Sequence, residues 1–255
     1  MPTSDSKWGL ELFQGWFTSA RRYKLTPQTP VANFLEWAQS PEAARDVDNT
    51  RILSVSWMKG KGIPSHEYIV ITLEHGSSLR LERNTDSWIT AFRPKTRSNC
   101  KDTITFVSGY GRRGLDKRIA WATFDINVRP PLRRLIDLLR IISETADFYN
   151  MWTLNCWWYA SCIWTNIIGS RQVNISGCSY DIVAQWRKVS GEDGKGVQDS
   201  PMKVARILQF IHVAGLQRAL GDNEGPEMLN RISARISQEF ESTYRASLRK
   251  WLTGR

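Results

Sequence analysis

Five short β-branched or alternating runs lie between Ile52 and Asp125, with helical patterning on either side of them, and this order limits the fold more than any other feature. The runs are Ile52 to Trp57, His66 to Leu73, Ser78 to Arg83, Thr103 to Val107 and Ile119 to Asp125, separated by Gly, Asn and Ser. Together they predict an antiparallel sheet. Helices, then strands, then helices point to an α+β fold and not to an alternating α/β one.

The flanking helices are read from spacing. Trp8, Leu12, Trp16 and Ala20, with Phe13 and Phe17 beside them, recur at helical intervals, so residues 7–23 form an amphipathic helix. Thr29-Pro30 reads as a cap and a first-turn proline opening a second helix through Phe34 and Trp37, and a third short helix follows Ser40-Pro41-Glu42. After Arg129-Pro130-Pro131, the residues Leu132, Leu135, Ile136, Leu139 and Ile142 form one apolar stripe. Residues 149–168 are apolar almost all round, which predicts a helix buried against the sheet. Residues 169–200, rich in Gly and Ser, read as a mobile insertion. Ser200-Pro201 opens a helix that stops at Gly221, and Gly225-Pro226 opens the last one. The expected organisation is therefore an N-terminal helical segment over 1–50, an α+β core over 51–168, the insertion over 169–200 and a C-terminal helical pair over 201–255 that packs on the core.

Composition narrows the class. In 255 residues, 41% are hydrophobic and 24% charged, so most of the chain should fold. Twelve tryptophans must lie in cores or line a pocket, because a buried indole needs a partner for its N–H. A net charge of +10 favours acidic partners or plain solubility, but the basic residues are spread out and form no nucleic-acid module, so no specific nucleic-acid partner is expected. The N-terminal residues include no apolar stretch suited to a signal peptide. The longest apolar run, Met151 to Ile168, is interrupted by Asn155, Ser161, Thr165 and Asn166, which argues against a membrane-spanning helix. Cys100, Cys156, Cys162 and Cys178 show no C-x-x-C spacing and no nearby His, so no metal and no cofactor are expected. The expectation is a cytoplasmic protein with reduced thiols, in which the Asn174-Ile175-Ser176 sequon is accidental.

One thiol stands apart. Cys156 lies inside Tyr149-Asn150-Met151-Trp152-Thr153-Leu154-Asn155-Cys156-Trp157-Trp158-Tyr159-Ala160, an aromatic run where Ala or Val would pack as well. Ninety residues upstream, Pro64-Ser65-His66-Glu67-Tyr68 sets one of three histidines at the start of a strand. A thiol nucleophile needs a lowered pKa, which a helix N-terminus and a nearby imidazole supply. The other reading is that Cys156 and Cys162 are equivalent core thiols, since Cys packs as a small hydrophobe. His66 at a strand end suits a base, or is a loop-edge histidine; His75 beside Gly76 reads as solvated, and His212 as packing. If the strands over 66–73 and 78–86 form a hairpin about Gly76, Asp86 faces His66 and would orient the ring, although a one-residue slip removes that pairing. Glu67 alternates away from His66.

A His that begins a strand, followed later by an Asn-Cys pair at an aromatic helix, resembles the circularly permuted papain-like hydrolases, the lecithin:retinol acyltransferase-like group. The resemblance spans roughly residues 51 to 168 on two short motifs, Pro64 to Tyr68 and Asn155-Cys156. It implies a papain-like core in which the sheet packs against the Cys-bearing helix, and acyl chemistry without a cofactor. That family often has a second His or a polar residue in the next strand, and no His occupies that strand here.

Two further patterns call for a reading. Gly109-Tyr110-Gly111-Arg112-Arg113-Gly114 matches G-x-G-x-x-G, but Ile119 to Phe124 reads as a strand where a dinucleotide site requires a helix. A glycine-rich hairpin with two arginines at its tip is the expectation. In the last helix Met228, Leu229, Ile232, Ile236, Phe240, Tyr244, Leu248 and Trp251 make a stripe, with Arg231, Arg235, Arg245, Arg249 and Lys250 on other faces. Such a helix either packs its stripe on the domain or lies on an anionic membrane surface, and packing is the expectation.

The functional expectation is cysteine-dependent acyl transfer or amide or ester hydrolysis. Cys156 would be the nucleophile, His66 the base and Asp86 the orienting group. Trp152, Trp157, Trp158, Tyr159 and Asn155 would contact a small-molecule or acyl substrate with an apolar or aromatic part. The alternative is a non-catalytic basic interaction protein that binds a partner or makes weak contact with an anionic membrane surface.

Overall fold

A computed structural model of the chain describes residues 28–60, 66–85, 100–108, 116–147, 149, 155–168, 174–176, 231–246 and 249. The expected helices over 7–23 and 201–221, and residues 190–199 of the insertion, lie outside these.

The fold is α+β, with a seven-stranded antiparallel sheet. The strands are β1 (Gln28–Pro30), β2 (Ile52–Lys59), β3 (Glu67–Leu73), β4 (Ser77–Thr85), β5 (Cys100–Ser108), β6 (Lys117–Thr123) and β7 (Asn174–Ser176). Their spatial order is β1-β5-β4-β3-β2-β6-β7. The five long strands coincide with the five β-patterned runs, and two three-residue strands extend the edges. Thr29 pairs with Ile104 in β1. It therefore lies within a strand and does not cap the helix that follows, α1 (Val31–Gln39), whose N-cap is Pro30 with no side-chain bond. The next helix, α2 (Pro41–Asn49), is capped by Ser40, whose Oγ accepts the N–H of Ala43 at 3.2 Å, with Pro41 at its first position.

Two connections differ from expectation. β5 and β6 are not neighbours, because β4, β3 and β2 lie between them. The glycine-rich stretch over 109–115 therefore joins two separated strands, and β5 and β6 do not pair as a hairpin. It leads into strand β6, so no helix N-terminus follows it to receive a dinucleotide phosphate. The β3–β4 hairpin does turn at Gly76, whose φ of +90° suits glycine, and whose N–H donates to Leu73 O at 2.9 Å. This closes a three-residue loop and pairs Ile69 with Leu81. Continued along the strands, that register sets Tyr68 opposite Glu82 and His66 opposite Asn84, where the sequence expectation had Asp86.

Alternation then separates the two faces of the sheet. Val55, Trp57, Ile69, Ile71, Leu79, Leu81, Ile104 and Phe106 supply the buried core face. Two helices pack on it, α3 (Leu132–Thr145) and α4 (Cys156–Ile168). The predicted stripe of α3 is buried at every position. Trp164 of α4 meets Trp57 of β2 with ring centroids 6.2 Å apart. A fifth helix, α5 (231–246), buries Ile236 and Phe240. The guanidinium of Arg134 lies 4.7 Å from the Phe240 ring and 4.4 Å from that of Tyr244, and Trp158 Nε1 donates to Ser233 Oγ at 3.1 Å. The C-terminal stripe therefore packs on the domain over these residues. Among the described residues no helix is long and apolar enough to cross a membrane.

Candidate active site

The site forms where the start of α4 meets the start of β3. The helix begins at Cys156 and not at residue 149, because Asn155 caps it: its Oδ1 accepts the N–H of Trp158 at 3.0 Å, and its carbonyl accepts Tyr159 N–H at 3.0 Å. Cys156 is thus the first helical residue, half-buried, in the positive field of the helix N-terminus. α4 packs against β3, β4 and β2, which carries its first turn to the place where β3 begins. His66 stands one residue before that strand.

His66 and Cys156 are within side-chain hydrogen-bonding reach of one another. Ninety residues of sequence separate them, and the hairpin end and the helix cap bring them together. Burial works against a charged ring at this position, but Cys156 and Glu82 outweigh it and raise the His66 pKa to about 9.

The carboxylate at the ring belongs to Glu82. Its Oε1 lies 3.2 Å from His66 Nε2, an ion-pair contact that falls outside hydrogen-bond direction. Glu82 is on β4 and shares the alternation face of Tyr68, which is why it approaches His66 diagonally. Burial favours the neutral acid, yet His66 and Arg80 hold the Glu82 pKa below the ordinary carboxylate value. Asp86 lies outside the described residues. On the other side of the strand, Glu67 accepts from Trp57 Nε1 at 2.8 Å and meets Lys59 at 3.4 Å, and burial raises its pKa.

Tyr149 is the second residue that pattern reading overlooked. The backbone N–H of Cys156 donates to its phenolic oxygen, and burial together with the Cys156 charge keeps the phenol protonated far above the usual range. Only its position seven residues before Cys156 hinted at a role. Glu82 had a better signal, since it sits on the next strand at matching parity to His66.

The aromatic run divides between core and site. Trp158 and Tyr159, in the first turn of α4, are buried and flank the guanidinium of Arg83 at 5.2 and 4.9 Å. Arg83 is wholly buried and pairs bidentately with Asp102, Nε to Oδ1 at 2.8 Å and Nη2 to Oδ2 at 2.6 Å. Trp157 is half-buried at the edge of the core. Trp152 lies outside the described residues.

The described thiols are not equivalent. Burial pushes the Cys162 pKa up to about 12, and burial drives Cys100 higher still, where it donates to Asp102 Oδ1 at 3.3 Å. Among the described residues, only Cys156 has an imidazole at its sulfur, and no group of three potential metal ligands occurs.

No known protein family, curated protein or solved structure matches this chain.

Proposed function

We propose that this protein is a cysteine-dependent acyltransferase or amide or ester hydrolase. The observation that carries the reading is a thiol at the first residue of a capped helix, within hydrogen-bonding reach of an imidazole that a buried carboxylate supports. The resemblance of the His66 and Asn155-Cys156 motifs to the permuted papain-like group points the same way.

In this mechanism the Cys156 sulfur attacks the carbonyl carbon, and its proton resides on His66. Charge that builds on the carbonyl oxygen is met by the Tyr149 hydroxyl, whose oxygen accepts the Cys156 N–H and is held in place by it. The tetrahedral intermediate collapses as His66 gives its proton to the departing amine or alcohol, leaving a thioester. An incoming water, amine or alcohol then surrenders a proton to His66, attacks the thioester and frees the thiol. Glu82 keeps the ring charged and positioned, a role that the sequence reading gave to Asp86. Trp157 is the described aromatic side chain best placed to meet an apolar group on the substrate.

Iodoacetamide at neutral pH tests the reading. Cys156 should alkylate first and selectively, and His66→Ala should slow it. Equal, slow labelling of Cys100, Cys156 and Cys162 would leave Cys156 a packing residue and favour a non-catalytic interaction protein.

A further inference from the structure

Glu82 must hold one particular rotamer to address His66, and four contacts on the same sheet face bear on that rotamer. Arg80 Nη2 donates to Glu82 Oε1 at 2.5 Å, and this is the oxygen that His66 Nε2 approaches at 3.2 Å. Arg80 and Glu82 are two residues apart on β4, so both project from one face and their long side chains meet. The Arg80 guanidinium carbon lies 3.8 Å from the centroid of the Tyr68 ring. Tyr68 is fixed in turn, because its hydroxyl donates to Asp116 Oδ2 at 2.6 Å. The contacts therefore run Asp116, Tyr68, Arg80, Glu82, His66.

We propose that Arg80 is a positioning residue of the site: it holds the Glu82 carboxylate where one oxygen reaches His66, and the Tyr68 ring, tethered by Asp116, holds Arg80. A planar guanidinium can stack on a ring and donate in its own plane at once, which an ammonium cannot do. Arg80 is buried, and its Nε has no hydrogen-bond partner among the described residues. An unmet buried donor carries a cost, so the side chain is not explained by stability alone.

Two roles for Arg80 predict opposite signs. If it acts only as a nearby positive charge, removing it relieves repulsion and raises the affinity of His66 for its proton. If it positions Glu82, removing it frees the carboxylate to swing away, and that affinity falls. Among the described residues, the other ionisable groups that bear on the pair are Lys59 on β2, Glu67 and Tyr68 on β3, Asp116 before β6 and Cys156 on α4. All of them stay in place in the variants below.

The consequence for catalysis rests on His66 being the base of the proposed thiol chemistry, but the test does not. Imidazole titrations followed by NMR resolve three histidines, with His66 assigned by its loss in His66→Gln. The His66 midpoint, which Glu82 and Cys156 raise above the ordinary histidine value, should fall by about one unit in Arg80→Gln, as loss of a close counter-charge would produce. Glu82→Gln should lower it similarly, and adding Arg80→Gln to Glu82→Gln should change little more, because both act through one carboxylate. An unchanged or raised midpoint in Arg80→Gln, or a full further drop in the double variant, overturns the proposal. If Arg80→Gln does not fold, Arg80→Lys keeps the charge and loses the planar fork; a lowered midpoint there supports positioning and an unchanged one overturns it. The titration reads the same whether or not Cys156 proves to be a nucleophile.

Discussion

The side-chain oxygen of Asn155 accepts the Trp158 N–H at 3.0 Å, and this bond sets the residue at which α4 begins. Without it the apolar run from Tyr149 onward has no reason to start its helix at Cys156. With it, Cys156 is the first helical residue, where the N–H groups of the first turn have no partner within the helix and the helix field is positive. The Cys156 N–H meets the Tyr149 phenol, and the thiol meets His66. A capping bond therefore does the placing for a chemical site.

Asn155→Ala should destabilise the protein by about 1 kcal/mol, the usual cost of losing an N-cap side chain. It should also slow alkylation of Cys156, because the first turn would fray. Asn155→Ser keeps a capping oxygen and should retain both properties. Urea unfolding midpoints read beside iodoacetamide rates check this, and an alkylation rate untouched in Asn155→Ala would separate the cap from the site.

Cys156→Ser and His66→Ala should each abolish turnover of an activated ester while the fold persists. Loss of a positioned base alone is worth roughly 10²- to 10⁴-fold. Single-turnover measurements should show an acyl burst of one equivalent that disappears in Cys156→Ser. Turnover surviving in either variant would remove the assigned pair.

Stability should depend on pH through the same ring. The His66 pKa rises from 6.5 to about 9 on folding, so its contribution is present in full below pH 6.5 and is lost as pH climbs through 9. At 31% side-chain exposure the ring is mostly shielded, and the shift corresponds to about 3 kcal/mol at most. Glu82 has the opposite sign: its pKa is lowered, so its contribution holds above the ordinary carboxylate range and fades as pH falls through the depressed value. Thermal melts of the unaltered protein should therefore weaken between pH 6.5 and 9, and His66→Gln should flatten that decline. A decline of equal size in His66→Gln would assign it to other groups.

Arg83→Leu should cost about 3–5 kcal/mol, since it leaves Asp102 buried without its counter-charge. Asp102→Leu added to Arg83→Leu should recover much of that loss, because removing both charges leaves nothing unpaired. Chemical denaturation of the three variants checks the cycle, and additive losses would mean the pair is not coupled.

What the sequence made legible here followed period and punctuation. The five long strands and the stripe of α3 read directly from alternation and from the spacing of Leu132, Leu135, Ile136, Leu139 and Ile142. β1 and β7 are three residues each, too short for any period to show. The start of α4 was hidden because the run from Tyr149 to Ile168 is mostly apolar, and Asn155, like the other polar residues scattered through it, reads as an interruption before it reads as a cap. The partner of His66 depended on turn length: a three-residue loop ending in Gly76 moves the opposing residue from Asp86 to Asn84 and lets Glu82 approach diagonally. The course of the chain after β5 lay beyond local reading, since nothing near residues 109–115 records that β6 pairs with β2.

Phe240 offers the sharpest test of the C-terminal helix. Its side chain is 1% exposed, beneath the Arg134 guanidinium at 4.7 Å, while Arg134 also reaches Glu241 at 3.5 Å. Phe240→Ala should therefore destabilise the fold by ~3–5 kcal/mol, as truncation of a buried Phe does. Binding to anionic vesicles should be negligible before and after the change. A helix lying on membrane would give the reverse pattern. The melting temperature would hardly move, vesicle binding would weaken, and that binding would drop with added salt as exposed charges are screened. The buried ring and its cation contact favour the first result, and salt-sensitive vesicle binding with an unchanged melting temperature would sink it.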